Sequence, residues 1–210
     1  MKKIFIECCI ESYSEALIAE KRGADQLELC RDLANDGLTP NTALAEKILE
    51  TISIPLKVMI RHRKGDFFYG KSDMSIMKNQ INSMKLIGIE HIAFGSLNQN
   101  NRIHIDQIKM VSDWAHPMKI TFHKAIDLSI KYFNDIELLQ KLNNVESILT
   151  SGRSSSAEKG YLNIKKVLND FENNIKIISA GRITKNNLTK IHKMINGTYY
   201  HGRKILGDLK

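Results

Sequence analysis

The stretch KIFIECCIESYSEALIAEKRGADQLELC, residues 3–30, contains one complete unit of a pattern that the rest of the chain repeats. Its apolar run Lys3–Ile10 predicts a β-strand, Tyr13–Arg22 predicts a helix, and Gln26–Cys30 predicts a second strand. Strands that alternate with helices at this spacing are typical of a parallel sheet covered by helices. The opening unit therefore favours an α/β fold.

The same alternation continues through the chain and gives eight predicted strands and seven predicted helices. The further strands are predicted at Pro55–Arg63, His91–Ser96, Lys119–His123, Ser147–Thr150, Lys176–Ser179 and Thr198–His201, and the further helices at Thr42–Thr51, Ser72–Ile87, Asp106–Ala115, Tyr132–Leu142, Leu162–Phe171 and Asn187–Met194. We expect one domain over residues 1–210, a compact (β/α)8 barrel of the TIM type with about 26 residues per unit. Since only Gly202–Lys210 follows the last strand, we expect the eighth outer helix to be short or absent and part of the barrel wall to be open to a partner.

The charge balance gives a formal net charge of +8, from 31 basic and 23 acidic residues. The lysines are scattered without a basic run, which is typical of a solvated surface rather than a nucleic-acid interface. Apolar runs stay short of the roughly 18 residues that a membrane helix needs. The odd count of three cysteines does not suit a disulfide framework. We therefore expect a cytoplasmic protein with free thiols that binds neither nucleic acid nor a membrane.

The C-terminal ends of the strands are where a parallel barrel carries its active site. The first two predicted strands both end in Glu-x-Cys, with Glu7 and Cys9 on one and Glu28 and Cys30 on the other. Because side chains alternate along a strand, we expect all four to point into the barrel and Cys8 to face the helices.

Arginine is concentrated at the strand ends, whereas lysine is spread along the chain. Six of the eight arginines follow strands, and a guanidinium group suits bidentate binding of carboxylate or phosphate. Glycines after the last two strands would let backbone amides approach an anion. The candidate anion-binding residues are Arg61, Arg63, Arg153, Gly181, Arg182, Gly202 and Arg203.

Three interpretations of these strand ends remain open. In the first, the two strand-end glutamates only neutralise Arg61 and Arg63 inside the barrel, since buried carboxylates need such partners. In the second, Cys9 and Cys30 lie on neighbouring strands and bind a soft metal ion such as Cu(I) or Zn²⁺. Two cysteines fall short of the four ligands of structural zinc, which favours Cu(I) of the two.

In the third interpretation, the chain is an enzyme that acts on a small phosphorylated or carboxylated metabolite at the barrel mouth. His123 would act as the general acid–base, and Asp127 would orient it. The candidate catalytic residues are His123, Asp127, Glu7 and Glu28.

Seven short segments follow one another along the chain, namely Ile6–Cys9, Gly23–Cys30, Gly37–Pro40, Val58–Arg63, Gly65–Phe67, Thr121–Ala125 and Ile148–Gly152. Together and in this order, they resemble the CutC family of copper homeostasis proteins. The resemblance implies a TIM-type barrel in the cytoplasm with a role in copper handling. It also implies that Cys9 and Cys30 are Cu(I) ligands. No catalytic reaction follows from the resemblance.

We expect Cu(I) or a small anion as the ligand and a homo-oligomer, a dimer or larger, as the assembly. In the copper hypothesis, Cys9 and Cys30 hold the ion, and the two strand-end glutamates surround it together with Arg61 and Arg63.

Overall fold

Eight parallel strands pair in chain order in the computed structural model, which describes residues 4–210. They are β1 Phe5–Ile10, β2 Gln26–Leu29, β3 Leu56–Met59, β4 His91–Phe94, β5 Lys119–Phe122, β6 Val145–Thr150, β7 Lys176–Ser179 and β8 Tyr199–Gly202. Strand β8 pairs with β1 and closes the barrel, which confirms the predicted fold. The predicted start of the first strand at Lys3 lies outside the described residues.

Seven α-helices surround the barrel within residues 4–210, one after each of the first seven strands. They are α1 Tyr13–Lys21, α2 Thr42–Leu49, α3 Lys71–Leu86, α4 Ile105–Ala115, α5 Tyr132–Leu139, α6 Tyr161–Phe171 and α7 Leu188–Ile195. Two short 3-10 helices, Leu33–Asn35 and Lys124–Leu128, follow β2 and β5, and the sequence patterns did not predict them. No helix in this described part is long and apolar enough to cross a membrane.

The segment after β8 forms no eighth helix, as expected, but the barrel wall beside it is not open. Ile205, Leu206 and Leu209 are buried against the core. The guanidinium of Arg22 donates hydrogen bonds to the backbone carbonyls of Leu206 and Asp208. The prediction of an open wall is therefore wrong, because the segment after β8 buries apolar side chains against the core.

Alternation along the strands separates two environments. Outward side chains such as Cys8 and Leu27 lie in the apolar layer between strands and helices, as predicted for Cys8. The barrel interior is divided, with an apolar patch that contains Leu149 and Ile178. Charged side chains occupy the part of the interior near β1, β2, β3 and β8, so that half of the barrel is not the packed apolar core of an ordinary TIM-type barrel.

Strand β3 ends earlier than predicted, and this positions the residues that follow it. The paired strand stops at Met59, although the Ile60 amide still donates to the carbonyl of Ala93. The amide of Arg61 donates instead to the side chain of Thr39, in the loop after β2. Arg61 therefore lies at the barrel mouth with its backbone fixed by a neighbouring loop.

Candidate functional site

A cavity of about 780 Å³ opens at the C-terminal ends of the strands. Its inner wall contains the side chains of Cys9, Glu28, Cys30, Arg61 and His123. Its rim comes from the loops after β5 to β8 and contains Lys124, Asp127, Arg153, Ser154, Arg182, Thr184, Arg203 and Lys204. The strand ends are therefore the place where most of the predicted candidate residues meet.

The two predicted metal ligands lie next to each other on the inner wall. The Sγ atoms of Cys9 and Cys30 are 3.7 Å apart, and both side chains are buried. A carboxylate oxygen of Glu28 lies 3.8 Å from the Cys30 sulfur. Ligand atoms of these three residues all lie within 4.8 Å of one another. The prediction that Cys9 and Cys30 point into the barrel from neighbouring strands is confirmed.

This donor set fits a soft metal ion. Metal–sulfur bonds are about 2.3 Å long for zinc, so one ion can span sulfurs up to roughly 4.6 Å apart. Thiolates favour Cu(I) and Zn²⁺ over hard cations. The hydrogen bond to Cys30 and burial raise the pKa of Cys9 well above its usual range. The Cys9 hydrogen bond lowers the pKa of Cys30, but burial and Glu28 outweigh it and raise that pKa.

Beside the thiols lies a buried charge network that the sequence analysis missed. Lys57, fully buried on β3, donates to Glu7 at 2.6 Å, and His201 on β8 lies 2.8 Å from the same carboxylate. Burial raises the pKa of Glu7, but Lys57 and His201 outweigh it and bring that pKa to about 2. Burial, together with the Glu7 carboxylate, raises the pKa of Glu28, although His201, 3.7 Å from its carboxylate, opposes the shift.

His201 supplies the second positive charge of this network. Burial lowers its pKa, but the Glu28 carboxylate, the contact with Cys9 and the Glu7 carboxylate together raise that pKa well above its usual value. Ligand atoms of Glu7, Glu28 and His201 also lie within 4.8 Å of one another. We interpret these three residues as an ion-pair cluster, because two cations, His201 and Lys57, already balance the two carboxylates.

The predicted neutralisation of the two glutamates by arginines is therefore wrong. Arg61 is buried at the mouth, and its guanidinium donates to the backbone carbonyls of Asn35, Gly37 and Gly65. Lys57 is the residue of β3 that reaches the glutamates, because its inward position is deeper in the barrel than that of Arg61.

Arg63 lies outside the cavity. Its guanidinium pairs with Asp66 at 2.9 Å and with Asp73 at 3.3 Å. These two hydrogen-bonded carboxylates raise the pKa of Arg63 although burial opposes them. Arg61 and Arg63, both placed inside the barrel by the first interpretation, therefore have separate environments.

The predicted dyad of His123 and Asp127 does not form. The Nδ1 atom of His123 accepts a hydrogen bond from the amide of Ala125 at 3.2 Å, and burial and Arg61 lower its pKa to about 3. The carboxylate of Asp127 accepts hydrogen bonds from Thr150 and from Ser151 in the loop after β6, and from the amide of Arg153. Each side chain satisfies backbone groups of a loop, so Asp127 cannot orient the imidazole.

The rim arginines differ in their partners. Arg203 makes a bidentate pair with Glu15, with both N···O distances at 2.7 Å, and lies 3.2 Å from Glu11. Arg153 and Arg182 are exposed, and no ion pair joins either of them to another described residue. Of the three rim arginines, only Arg153 and Arg182 have no carboxylate partner among the described residues.

The two candidate glycines are required by packing. A Cβ atom on Gly202 would lie 2.3 Å from the carbonyl oxygen of Ile183. Gly181 has φ +107°, and a Cβ there would lie 2.7 Å from the Ser151 side chain. Both therefore have a structural reason to be glycine, independent of any bound anion.

Together, the fold and site define a parallel (β/α)8 barrel with two thiols and a carboxylate at its C-terminal mouth. The chain belongs to the CutC family, whose sequence model matches residues 4–206. It is 34% identical over 196 residues to the human copper homeostasis protein cutC homolog, covering 93% of this chain and 71% of that protein.

Two bacterial proteins are also similar to this chain. A CutC family protein of Histophilus somni is 33% identical over 189 residues, covering 90% of this chain and 77% of that one. The crystal structure of a protein described as copper homeostasis protein CutC, from Streptococcus agalactiae, superposes with a TM-score of 0.90 at 27% identity, covering 96% of this chain and 99% of that one. The family resemblance of the sequence segments is thereby confirmed.

Proposed function

We propose that this chain takes part in copper homeostasis by binding Cu(I) between Cys9 and Cys30, with a carboxylate oxygen of Glu28 beside the sulfurs. The observation that carries the proposal is the pair of buried thiols 3.7 Å apart on the cavity wall. Soft thiolates select Cu(I), and the names of the human and streptococcal relatives refer to copper homeostasis.

The surroundings of the thiols suit a monovalent cation held by two thiolates. Such a site carries a net negative charge, which is costly to bury without a nearby cation. The raised pKa of His201, caused by Glu28, Cys9 and Glu7 against the effect of burial, keeps a positive charge beside Cys9. His201 therefore reduces the electrostatic cost of the two thiolates, although Glu7 and Glu28 share its positive charge.

Anaerobic titration against a calibrated Cu(I) chelator tests this proposal. We expect wild type to bind one Cu(I), and the Cys9→Ser/Cys30→Ser double variant to bind it more than about 100-fold more weakly, since loss of even an outer partner costs about 10–100-fold. Cys8→Ser is the matched control, because the Cys8 side chain lies in the outer apolar layer. Equal binding by wild type and the double variant, or an equal loss in the Cys8 control, would refute the assignment.

A second candidate function is turnover of a small phosphorylated or carboxylated metabolite. The observation that favours it is the cavity of about 780 Å³, which is the size of a small-molecule site and has exposed arginines at its rim. Incubating the protein with a mixture of such metabolites and following each by mass spectrometry tests it. Consumption of one metabolite that depends on Arg182 supports the enzyme hypothesis, and an unchanged mixture counts against it.

We further propose a cytoplasmic location and a homo-oligomeric assembly. Free, buried cysteines support a reducing compartment. Native mass spectrometry tests the assembly: a mass at a multiple of 23.9 kDa supports it, and the monomer mass alone refutes it.

A further inference from the structure

The cavity contains buried polar atoms that no described residue satisfies. Glu28 Oε1, Arg61 Nε and His123 Nε2 have no hydrogen-bond partner, and each belongs to a side chain that is at least 97% buried and lines the cavity. Native proteins leave few buried polar atoms unpaired, and each such atom calls for an explanation. Three of them around one cavity indicate a ligand that pairs with them.

Arg61 is held as a fixed donor. Its two terminal nitrogens already donate to backbone carbonyls, one of them that of Gly65 at 2.8 Å, whereas Nε is a buried donor with no hydrogen-bond partner among the described residues. The guanidinium lies over the ring of Phe67, 4.9 Å from its centroid. Because these contacts already fix the Arg61 side chain, a ligand that accepts a hydrogen bond from Nε binds without the entropic cost of immobilising that side chain.

His123 provides a second donor beside the same ring. Its imidazole centroid lies 5.0 Å from that of Phe67. Nδ1 accepts from the amide of Ala125, so in the neutral imidazole the proton is on Nε2. Burial and Arg61 keep the pKa of His123 at about 3, which makes the neutral form the relevant one. A Cβ on Gly95 would lie 2.6 Å from Nδ1, so the absence of a side chain at Gly95 makes room for the imidazole.

The rim and the inner end of the cavity carry different charged groups. Lys124, Arg153 and Arg182 are exposed at the rim, and none has an ion pair with another described residue. At the inner end, the Oε1 atom of Glu28 lacks a donor. A ligand that satisfies the site therefore carries acceptor oxygens for Arg61 and His123 and a hydroxyl group for Glu28.

We propose that the cavity binds a small hydroxylated organic anion whose carboxylate or phosphate oxygens accept hydrogen bonds from Arg61 Nε and His123 Nε2. A carboxylate or phosphate group has several acceptor oxygens, so one group can take both hydrogens. The inference deepens the second candidate function by naming its ligand chemistry, and it does not depend on copper binding.

Isothermal titration calorimetry at low ionic strength tests the site with three probes, namely glycerate, glycerol 3-phosphate and neutral glycerol. We expect at least one anion to bind and glycerol to bind at least about tenfold more weakly, as expected for loss of a hydrogen bond to a charged group. Binding of glycerate alone identifies a carboxylate site, and binding of glycerol 3-phosphate alone identifies a phosphate-ester site. Equal affinity for glycerol and both anions refutes the proposal.

Substitution then assigns the donor. His123→Asn keeps an acceptor for the Ala125 amide and removes the Nε2 donor, so we expect the folded variant to bind the anion about tenfold more weakly. His104→Asn is the matched control, since His104 precedes α4 outside the cavity. Unchanged binding by His123→Asn overturns the assignment.

The double variant Cys9→Ser/Cys30→Ser separates this site from the copper site. It keeps anion binding if the two sites are distinct. Loss of anion binding in this variant places the ligand on the thiols and overturns the role of Arg61 and His123. Failure of copper binding with retained anion binding refutes only the copper proposal.

Discussion

Replacing Lys57 by methionine tests the buried charge network inside the barrel. Lys57 is fully buried and donates to the Glu7 carboxylate at 2.6 Å. Methionine has similar length but no charge, so Lys57→Met leaves the Glu7 carboxylate buried with His201 as its remaining cationic partner. We expect a large loss of stability at pH 7.

The magnitude follows from the pKa of Glu7. The pKa falls from 4.5 to about 2, against the effect of burial, because Lys57 and His201 stabilise the charged form. At 1.36 kcal/mol per pKa unit, this net shift corresponds to about 3 kcal/mol of stabilisation that remains after the opposing effect of burial. Removing one partner of a buried ion pair typically lowers the free energy of unfolding by about 3–5 kcal/mol, so we expect a loss in that range for Lys57→Met. The stabilisation is present above pH 4.5 and is lost as the pH falls towards 2.

Urea denaturation at pH 7 measures the effect. Lys119→Met is the matched control, because Lys119 is exposed and pairs with Glu146 at the surface, where we expect a change below about 1 kcal/mol. The double variant Lys57→Met/Glu7→Gln should recover much of the lost stability, since it removes the unpaired charge as well. A free energy of unfolding for Lys57→Met within about 1 kcal/mol of wild type, or a double variant no more stable than the single one, would refute the reasoning.

Burial and Lys57 lower the pKa of His91 to about 3, so the unfolded chain binds a proton that the native state does not, and stability falls as the pH drops below 6.5. Urea denaturation should show that His91→Asn removes about 1 kcal/mol of the loss between pH 6.5 and 5.5, and an identical pH profile would contradict this. Gly202→Ala should cost more than about 2 kcal/mol, because the new Cβ meets the carbonyl of Ile183, whereas Gly70→Ala, whose Cβ would make an ordinary contact 3.9 Å from Asp73 Oδ2, should cost less than about 1 kcal/mol in the same assay. Ile205→Ala should lower the free energy of unfolding by about 2–5 kcal/mol if the tail replaces the missing helix, and a change near zero would show that the tail is not part of the core.

The fold could be predicted because its signal is repeated. Each strand–helix unit carries its own periodicity, so an error in one boundary does not change the number of units. The start of β6 shows the scale of such errors: the strand begins at Val145, two residues before the predicted Ser147, where the pairing with β5 changes register.

Part of the site could also be predicted from strand alternation. The alternation of side chains along β1 and β2 was sufficient to place Cys9 and Cys30 on the same inner wall. The pairing of these two neighbouring strands sets the positions of the two residues along the barrel axis. The same parity argument applied to β3 would have found Lys57, which lies two residues before Met59 on the inward side. A lysine in a short apolar strand gives no other signal of a buried ion pair.

The remaining contacts depend on loops whose geometry no short-range pattern encodes. The side chains of His123 and Asp127 are four residues apart, yet each turns to a different backbone segment. Arg203 looked like a free rim cation, but the pair with Glu15 on α1 joins residues 188 positions apart. Such long-range partners appear only once the barrel is closed.

X-ray absorption spectroscopy of the Cu(I)-loaded protein tests the central claim most directly. The account predicts two sulfur atoms in the first coordination shell of copper in wild type and in Cys8→Ser. It also predicts that these sulfur ligands disappear in Cys9→Ser/Cys30→Ser. A copper shell without two sulfurs in wild type, or with two sulfurs in the double variant, would contradict the assignment of Cys9 and Cys30 as the copper site.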